Sequence, residues 1–185
     1  HVAGVYSRRE AHIDLNKLAR VARARLIAGE VTHIDSNQQL LHLKDGRPPL
    51  PYDVLSVNVG IAPSKPAAYV TPVKPIATFS VKWDALLSRL DDDSSFRLVV
   101  VGGGAGGVEL ILAMVARVSS ELRRRGRSLT CLSATLVARS SELLQGHAVG
   151  VRRLLTEAVR RKGIRVLLSH EAVETSTDNG EKVLT

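Results

Sequence analysis

The sequence has very little cysteine and few aromatic residues. Among 185 residues there is one cysteine, and aromatic residues make up 3% of the chain. A single cysteine excludes an internal disulfide, a Cys-x-x-Cys redox pair and a zinc site built from several cysteines. No apolar stretch approaches the roughly 20 residues that cross a bilayer, and we expect no signal peptide. We therefore expect a cytoplasmic protein with no transmembrane segment and no metal site.

Basic residues exceed acidic ones and give a formal net charge of +8. They are concentrated in two stretches that have helical patterns, 117–127 and 152–165. In the second stretch Val151, Leu154, Leu155, Ala158 and Val159 form one apolar face and leave the arginines on the opposite face. A solvated helix face therefore explains the charge better than a nucleic-acid or membrane patch, and aromatic platforms for base stacking are scarce.

The most informative segment is the glycine-rich run at 102–107. It follows the apolar strand Phe96–Val101 directly and opens into a helical pattern. In such a Gly-x-Gly-x-x-Gly loop Gly102 makes the tight turn, Gly104 lets the backbone approach a pyrophosphate, and Gly107 lets helix and strand pack closely. The predicted cofactor-binding residues are Gly102, Gly103, Gly104, Ala105, Gly106 and Gly107. The alternative is a glycine-rich turn that has no ligand.

The segment that follows repeats the alternation of strand and helix. A long helix leads to the strand Ser133–Val137, a second helix over 149–162 ends at Gly163, and a third strand spans 164–168. This βαβαβ order is typical of a mononucleotide-binding half.

The first sixty residues have a different organisation. Asp14 is expected to cap a helix that ends near Arg23, and Leu15, Leu18, Ala19 and Ala22 are expected to form its buried stripe. Two short strands, 26–34 and 40–43, precede a turn and a buried apolar strand, 54–59, that Gly60 closes.

Between these parts, residues 61–95 contain Pro63, Pro66, Pro72 and Pro75, one short helix over 83–90, and a polar end at 91–95. Trp83 is interpreted as a packing anchor rather than a ligand contact. Cys131 is expected to be a buried structural thiol, because a redox role would need a lowered pKa. His147 is interpreted as a capping or surface residue rather than a catalytic base. We assign no catalytic residue.

Two motifs together resemble a known family. The first is the run Tyr52-Asp53-x-Leu55-Ser56-Val57-Asn58-Val59-Gly60-x-x-Pro63, and the second is Gly102-Gly103-Gly104-x-Gly106-Gly107-Val108-Glu109. The pair resembles the pyridine nucleotide-disulfide oxidoreductases, and within them the type II NADH dehydrogenase-like branch. The runs 45–53 and 73–76 are similar to members fused to selenide, water dikinase.

The resemblance implies an α/β fold, with a Rossmann-like doubly wound parallel sheet and a small antiparallel excursion in the three-layer FAD/NAD(P)-binding arrangement. It implies a partial FAD-binding domain at 1–75, a linker with a docked helix at 76–95, and a C-terminally incomplete NAD(P)-binding domain at 96–185. In such proteins NAD(P)H gives a hydride to FAD, which passes electrons to a quinone or another acceptor. The FAD-binding motifs of the family's two ends are missing here, so we expect a central fragment that is inactive alone.

Three further residues acquire expected roles from the resemblance. Arg139 stands where the family usually has an acid for the adenosine ribose, which favours NADPH over NADH; the alternative is an arginine that leaves the sheet edge into solvent. Glu109, in the first turn of the helix, would face the nicotinamide and flavin, or be a helix-start acid without a ligand. Gly60 allows close backbone approach to a cofactor, although Asn58 and Val59 replace the family's usual Ala-Thr.

Two classes of function stay open. The first is an FAD-dependent NAD(P)H oxidoreductase, and the second is a non-catalytic nucleotide-binding or docking module linked to selenium metabolism. The expected partner is a nicotinamide dinucleotide and not a nucleic acid. Peripheral membrane contact of the longer protein and a homodimer stay open as well.

Overall fold

The computed structural model describes residues 1–60, 70–91, 95–172, 175–178 and 181–184, the last two ranges by their backbone alone. The chain forms two compact units. The smaller unit is Arg8–Ile61, and the larger unit combines His1–Ser7 with Ala62–Thr185. The contacts thus divide the chain near residue 61, whereas the sequence analysis placed a boundary at residue 75.

Parts of the proline-rich region and of the first family motif fall in the gaps between the described ranges. Pro63 and Pro66 of the predicted linker, and residues 92–94 of its predicted polar end, lie outside the described residues. The same holds for Pro63 of the first family motif.

The larger unit contains a parallel sheet of three strands in the order β4-β5-β6. The strands and their connecting helices are β4 (Phe96–Val101), α3 (Ala105–Arg124), β5 (Leu132–Val137), α4 (Val149–Arg161) and β6 (Arg165–Leu167). Val101 pairs with Val137, and Val137 pairs with Leu167, so the three strands end side by side. The predicted βαβαβ order and α/β fold class are confirmed.

Helix α3 forms because its apolar residues recur at helical spacing and face the sheet. Five of them, Val108, Ile111, Val115, Val118 and Leu122, are at most 4% exposed. The helix ends at Gly126, whose φ of +67° few other residues adopt without strain. Gly163 ends α4 in the same conformation, as the sequence predicted.

Strand β4 is buried on one face only, whereas apolar strands of parallel sheets are usually buried on both faces. Phe96, Leu98 and Val100 lie in the core, while Val99 and Val101 are about half exposed. The difference arises because α3 covers one face of the sheet, and no described element covers the opposite face of β4.

A helix from the proline-rich region completes the core of the larger unit. Helix α2 spans Ile76–Ser88, followed by a short 3-10 turn at Arg89–Asp91, and so begins seven residues before the predicted helix. Trp83 is 3% exposed within the hydrophobic core, and its indole Nε1 donates to the carbonyl oxygen of Val2 at 3.3 Å. The interpretation of Trp83 as a packing anchor is confirmed.

The smaller unit contains α1 (Leu15–Val21) and an antiparallel sheet of three strands, β1 (Val31–Asp35), β2 (Leu40–Leu43) and β3 (Leu50–Pro51). Asp14 caps α1 as predicted, through a hydrogen bond from the Asn16 amide. In the larger unit a hairpin of β7 (Thr175–Asp178) and β8 (Glu181–Leu184) follows the parallel sheet.

Two predictions for the smaller unit are wrong. The stripe on α1 is not buried, since Leu15 and Leu18 are more than half exposed. Residues 54–59 form no strand, and Val54 is 90% exposed. The physical reason is the same in both cases: an apolar run is buried, or completes a sheet, only where another element lies against it. The described part of the smaller unit supplies no such partner.

The apolar face predicted for α4 is buried only at Val159, while Leu154 is 71% exposed. Most arginines of the two basic helices are exposed, and several of them form ion pairs along their own helix. Glu157 pairs with Arg160 and Arg161, and their hydrogen bonds lower its pKa to about 2. Glu121 on α3 accepts a hydrogen bond from Arg124 at 2.7 Å, which is the main cause of its lowered pKa.

None of the helices in the described ranges is long and apolar enough to cross a membrane.

The buried face of the parallel sheet provides a test of the core. Leu136 on β5 is fully buried, so Leu136→Ala is expected to lower the free energy of unfolding by about 2–5 kcal/mol. The matched control is Leu154→Ala on α4, at an exposed site where the expected change is about 0.5 kcal/mol or less. Urea unfolding followed by circular dichroism measures both. Equal losses in the two variants would contradict the packing described.

The Glu121 cluster predicts a pH dependence. Because the folded-state pKa of Glu121 is lowered, its stabilising contribution is complete above about pH 4.5, the ordinary pKa of glutamate, and is lost as the pH falls towards the folded-state pKa. Glu121→Gln is therefore expected to lose stability at pH 7 and to show a shallower decline below pH 5 than the unmodified chain. Urea unfolding at a series of pH values measures this, and parallel curves would contradict it.

Candidate functional site

The carboxyl ends of β4 and β5 bring two loops together at one edge of the parallel sheet. The Gly102 amide donates to the carbonyl oxygen of Val137 at 2.8 Å, and the Leu144 amide donates to the carbonyl oxygen of Gly103 at 2.8 Å. The glycine-rich loop is therefore fixed against the segment 137–144. Ligands of open α/β sheets bind at this edge, beyond the carboxyl ends of the strands.

At two positions of the loop only glycine fits, Gly102 because of its backbone conformation and Gly107 because of a close backbone contact. Gly102 has a φ of +129°, a region that side chains disfavour. A Cβ at Gly107 would lie 1.9 Å from the carbonyl oxygen of Gly102, which is far inside van der Waals contact. The structural roles predicted for Gly102, the turn, and for Gly107, close packing of α3 on β4, are confirmed.

Gly103 is required by the neighbouring loop. A Cβ there would lie 2.6 Å from the Cβ of Ala138 and 3.3 Å from Cδ2 of Leu143. Leu143 and Leu144 are at most 4% exposed and pack beside the glycine-rich loop. Neither leucine was singled out from the sequence, because nothing in the local pattern distinguishes them from residues of an ordinary exposed loop.

Gly104 and Gly106 face open space. A Cβ at either position would meet no described atom within 4 Å. Gly104 is the N-cap of α3 and has no capping side chain, and the first helical hydrogen bond runs from the Val108 amide to the Gly104 carbonyl. The amides of Ala105, Gly106 and Gly107 thus lie ahead of the helical ladder, at the positive end of the helix dipole. This arrangement suits an anion.

Glu109 does not lie where the sequence analysis expected it. Because α3 begins at Ala105, Glu109 is its fifth residue, beyond the first turn, and that turn contains no acidic residue. The prediction of a first-turn position is wrong, and the attraction between a carboxylate and the helix dipole is weaker there. The Glu109 side chain is exposed.

Arg139 lies in the loop that follows β5, with its side chain 82% exposed and its guanidinium 3.7 Å from a carboxylate oxygen of Glu171. The next residue, Ser140, donates its hydroxyl to the carbonyl oxygen of Glu142 at 2.6 Å. The Glu142 carboxylate forms an ion pair with Arg152 near the start of α4. Glu142, Arg152 and Glu171 were not singled out from the sequence, since their contacts join residues 10 or more positions apart.

Gly60 belongs to the smaller unit. Its φ is +74°, and a Cβ there would meet no described atom within 4 Å. The position therefore leaves its backbone accessible.

Two side chains with reactive chemistry, Cys131 and His147, make local polar contacts. Cys131 is half-buried rather than buried as predicted, and its Sγ lies 2.7 Å from the Ser128 carbonyl oxygen. His147 is exposed, and its Nδ1 lies 3.2 Å from the Leu144 carbonyl oxygen. Within the described ranges no three histidine, cysteine or acidic side chains converge on a point where a metal ion would bind.

The close approach of α3 to β4 is testable with two alanine variants. Gly107→Ala is expected to lower the free energy of unfolding by about 1–3 kcal/mol or more, because its Cβ overlaps the Gly102 carbonyl. Gly106→Ala places a methyl group in open space and is expected to be neutral or stabilising by about 0.5–1 kcal/mol, since alanine favours the helix. Thermal and urea unfolding compare them; equal stability of the two variants would contradict the geometry.

The chain resembles several known proteins in sequence or in fold. One curated relative, ferroptosis suppressor protein 1 of Taeniopygia guttata, is 29% identical over 143 residues, which cover 77% of this chain and 35% of the relative. Among solved structures, the water-forming NADH oxidase from Lactobacillus brevis bound to NADH matches with a TM-score of 0.67 and 16% identity, over 100% of this chain and 40% of that one.

An engineered form of that oxidase, a water-forming NADPH oxidase bound to NADPH, matches with a TM-score of 0.62 and 17% identity, over 99% of this chain and 39% of that one. It carries five substitutions, three of which turn a consecutive Asp-Ala-Met into Ala-Arg-Ser.

The chain thus spans between a third and two fifths of the length of these relatives. The family model of the pyridine nucleotide-disulphide oxidoreductases matches residues 5–185. The protein belongs to the pyridine nucleotide-disulphide oxidoreductase family.

Proposed function

We propose that the chain binds NADPH at the edge formed by the glycine-rich loop and the loop after β5, as the nucleotide-binding portion of an FAD-dependent oxidoreductase. One observation carries the proposal. The N-terminus of α3 has three amides ahead of its first hydrogen bond, and the glycines beside them, Gly104 and Gly106, leave open space.

The pyrophosphate of the coenzyme is the group that fits this space. Its charge is favoured by the positive end of the α3 dipole, and its oxygens accept hydrogen bonds from the amides of Ala105, Gly106 and Gly107. The side-chain-free surface at Gly104 and Gly106 permits the close approach that such short hydrogen bonds need. In this proposal Gly102 and Gly103 hold the loop in shape and do not themselves discriminate between coenzymes.

Arg139 is proposed to select the coenzyme. An acid at the end of the second strand accepts a hydrogen bond from the ribose 2′-hydroxyl and repels a 2′-phosphate, whereas an exposed guanidinium attracts the phosphate. The run Ala138-Arg139-Ser140 contains the same three residues, in the same order, that replace Asp-Ala-Met in the engineered NADPH oxidase. Here they follow β5 directly, and Arg139 is 82% exposed. Both facts support a preference for NADPH.

The remaining parts of the proposal concern the longer protein. We assign the accessible backbone at Gly60 to contact with FAD, and Glu109 to the side of the site that faces the nicotinamide. FAD, when bound, would accept a hydride from the nicotinamide and pass the electrons to a quinone or another acceptor. Residues 1–75 are proposed to be part of the FAD-binding domain, and residues 96–185 part of the NAD(P)-binding domain.

The finer placement of the protein is also a proposal. The motifs at 52–63 and 102–109 favour the type II NADH dehydrogenase-like branch, with a quinone or another acceptor receiving the electrons. The similarity of 45–53 and 73–76 to proteins fused to selenide, water dikinase favours a relative of those members. A cytoplasmic location and a homodimer stay predictions.

Calorimetric titration with NADPH and with NADH, at one fixed salt concentration, tests the proposal. The unmodified chain is expected to bind NADPH more tightly than NADH. Arg139→Ala is expected to weaken NADPH binding by about 10-fold or more, since a hydrogen bond to a charged group contributes about 1.5–3 kcal/mol, and to leave NADH binding nearly unchanged.

The matched control is Arg160→Ala. It also removes one positive charge from an exposed arginine, but this arginine lies in the last turn of α4 and not in the loop after β5. It separates the local effect of Arg139 from the general attraction between a basic protein and an anion. Tighter binding of NADH than NADPH by the unmodified chain would contradict the assignment of Arg139. Binding of neither coenzyme would contradict the proposed site as a whole.

A further inference from the structure

The segment at the end of β6 and just after it lies beside the loop that carries Arg139. The Ala138 amide donates to the carbonyl oxygen of Leu167 at 2.8 Å, and the His170 amide donates back to the carbonyl oxygen of Ala138 at 3.1 Å. The Ser169 amide donates to the carbonyl oxygen of Ser140 at 3.0 Å. These backbone hydrogen bonds fix 167–170 beside 138–140 independently of any exposed side chain.

The chain turns at Ser169, which has a φ of +56°, and the turn brings Glu171 next to Arg139. The guanidinium Nη1 of Arg139 lies 3.7 Å from Oε1 of Glu171, and the two side chains are 82% and 63% exposed. Glu142, another acid of this edge, is occupied differently, because its carboxylate pairs with Arg152. Among the described residues, Glu171 is therefore the carboxylate that faces the proposed phosphate-binding arginine.

We infer that Glu171 is a specificity-determining residue that reduces the preference for NADPH over NADH. The inference rests on the proposed binding of the coenzyme at Arg139. A 2′-phosphate that binds Arg139 has to displace Glu171 from it and then carries about two negative charges close to that carboxylate. NADH brings no such charge, and its ribose 2′-hydroxyl can donate a hydrogen bond to Glu171. The same carboxylate thus opposes one coenzyme and accommodates the other.

The size of the effect follows from the exposure of the pair. Ion pairs between exposed side chains contribute up to about 1 kcal/mol because water and salt screen them, which corresponds to a change in affinity of up to about fivefold. Removing the charge of Glu171 is therefore expected to tighten NADPH binding by about two- to fivefold. Arg139 makes the larger contribution, and Glu171 adjusts it.

The test is Glu171→Gln, which keeps the shape of the side chain and removes its charge. Dissociation constants for NADPH and NADH are measured by calorimetry at fixed low salt and pH 8, where ordinary histidine side chains are uncharged. We expect the affinity ratio of NADPH to NADH to rise about two- to fivefold, through tighter NADPH binding and unchanged or weaker NADH binding.

Glu157→Gln is the matched control. It changes the net charge by the same amount, but Glu157 pairs with Arg160 and Arg161 of its own helix and not with Arg139. We expect it to leave the ratio unchanged. A circular dichroism melt of each variant verifies that both remain folded.

The outcomes separate this inference from the proposed function. If Arg139→Ala lowers the ratio while Glu171→Gln leaves it unchanged or lowers it, the role of Glu171 is overturned and the NADPH site stands. An equal rise in the Glu157→Gln control also overturns it, because the effect would then be general charge. If the unmodified chain binds neither coenzyme, the proposed site and the role of Glu171 fail together.

Discussion

The close contact between Gly107, in the first turn of α3, and Gly102, directly after β4, is the constraint on which the rest of the site depends. The helix can approach this turn so closely only where no Cβ intervenes, and a Cβ at Gly107 would lie 1.9 Å from the Gly102 carbonyl oxygen. This approach sets the direction of α3, which in turn aims its free amides at the edge of the sheet. The buried stripe from Val108 to Leu122 then fixes the helix over the sheet. Packing therefore creates the anion-binding geometry.

The charged side chains at the same edge of the sheet, Arg139 and Glu171, are positioned by loops and not by helix packing. Arg139 and Glu171 come from loops after neighbouring strands, and backbone hydrogen bonds between 138–140 and 167–170 hold those loops together. The helix end supplies a fixed positive potential, whereas the exposed pair supplies charges that a coenzyme can rearrange. In our account the first feature gives general affinity for a dinucleotide, and the second gives discrimination at the ribose. The two features depend on separate residues and can be altered independently.

The sequence predicted the parallel sheet of the larger unit more accurately than the smaller unit, where the Asp14 cap and the strand at 40–43 were correct but two apolar runs were not buried. Strand β4 and the roles of Gly102 and Gly107 follow from local patterns, because a βα turn is determined by residues within one short segment. The apolar run at 54–59 and the stripe on α1 need partners elsewhere, so their local pattern predicted burial that the described structure does not have. Glu109 was predicted in the first turn of α3 but is the fifth residue of the helix, because the N-cap is Gly104. Glu171 had no local signal, since its contact with Arg139 joins two loops.

The most direct test of the account is a nuclear magnetic resonance titration of the isotopically labelled chain with NADPH, following each backbone amide. If NADPH binds at the proposed site, we expect the largest shifts at 104–107 and 138–141, with smaller shifts at 169–171. We also expect that the amides of the smaller unit's sheet, β1 to β3, change little. Shifts confined to the arginine-rich faces of α3 and α4, and absent from the glycine loop, would contradict binding at this site.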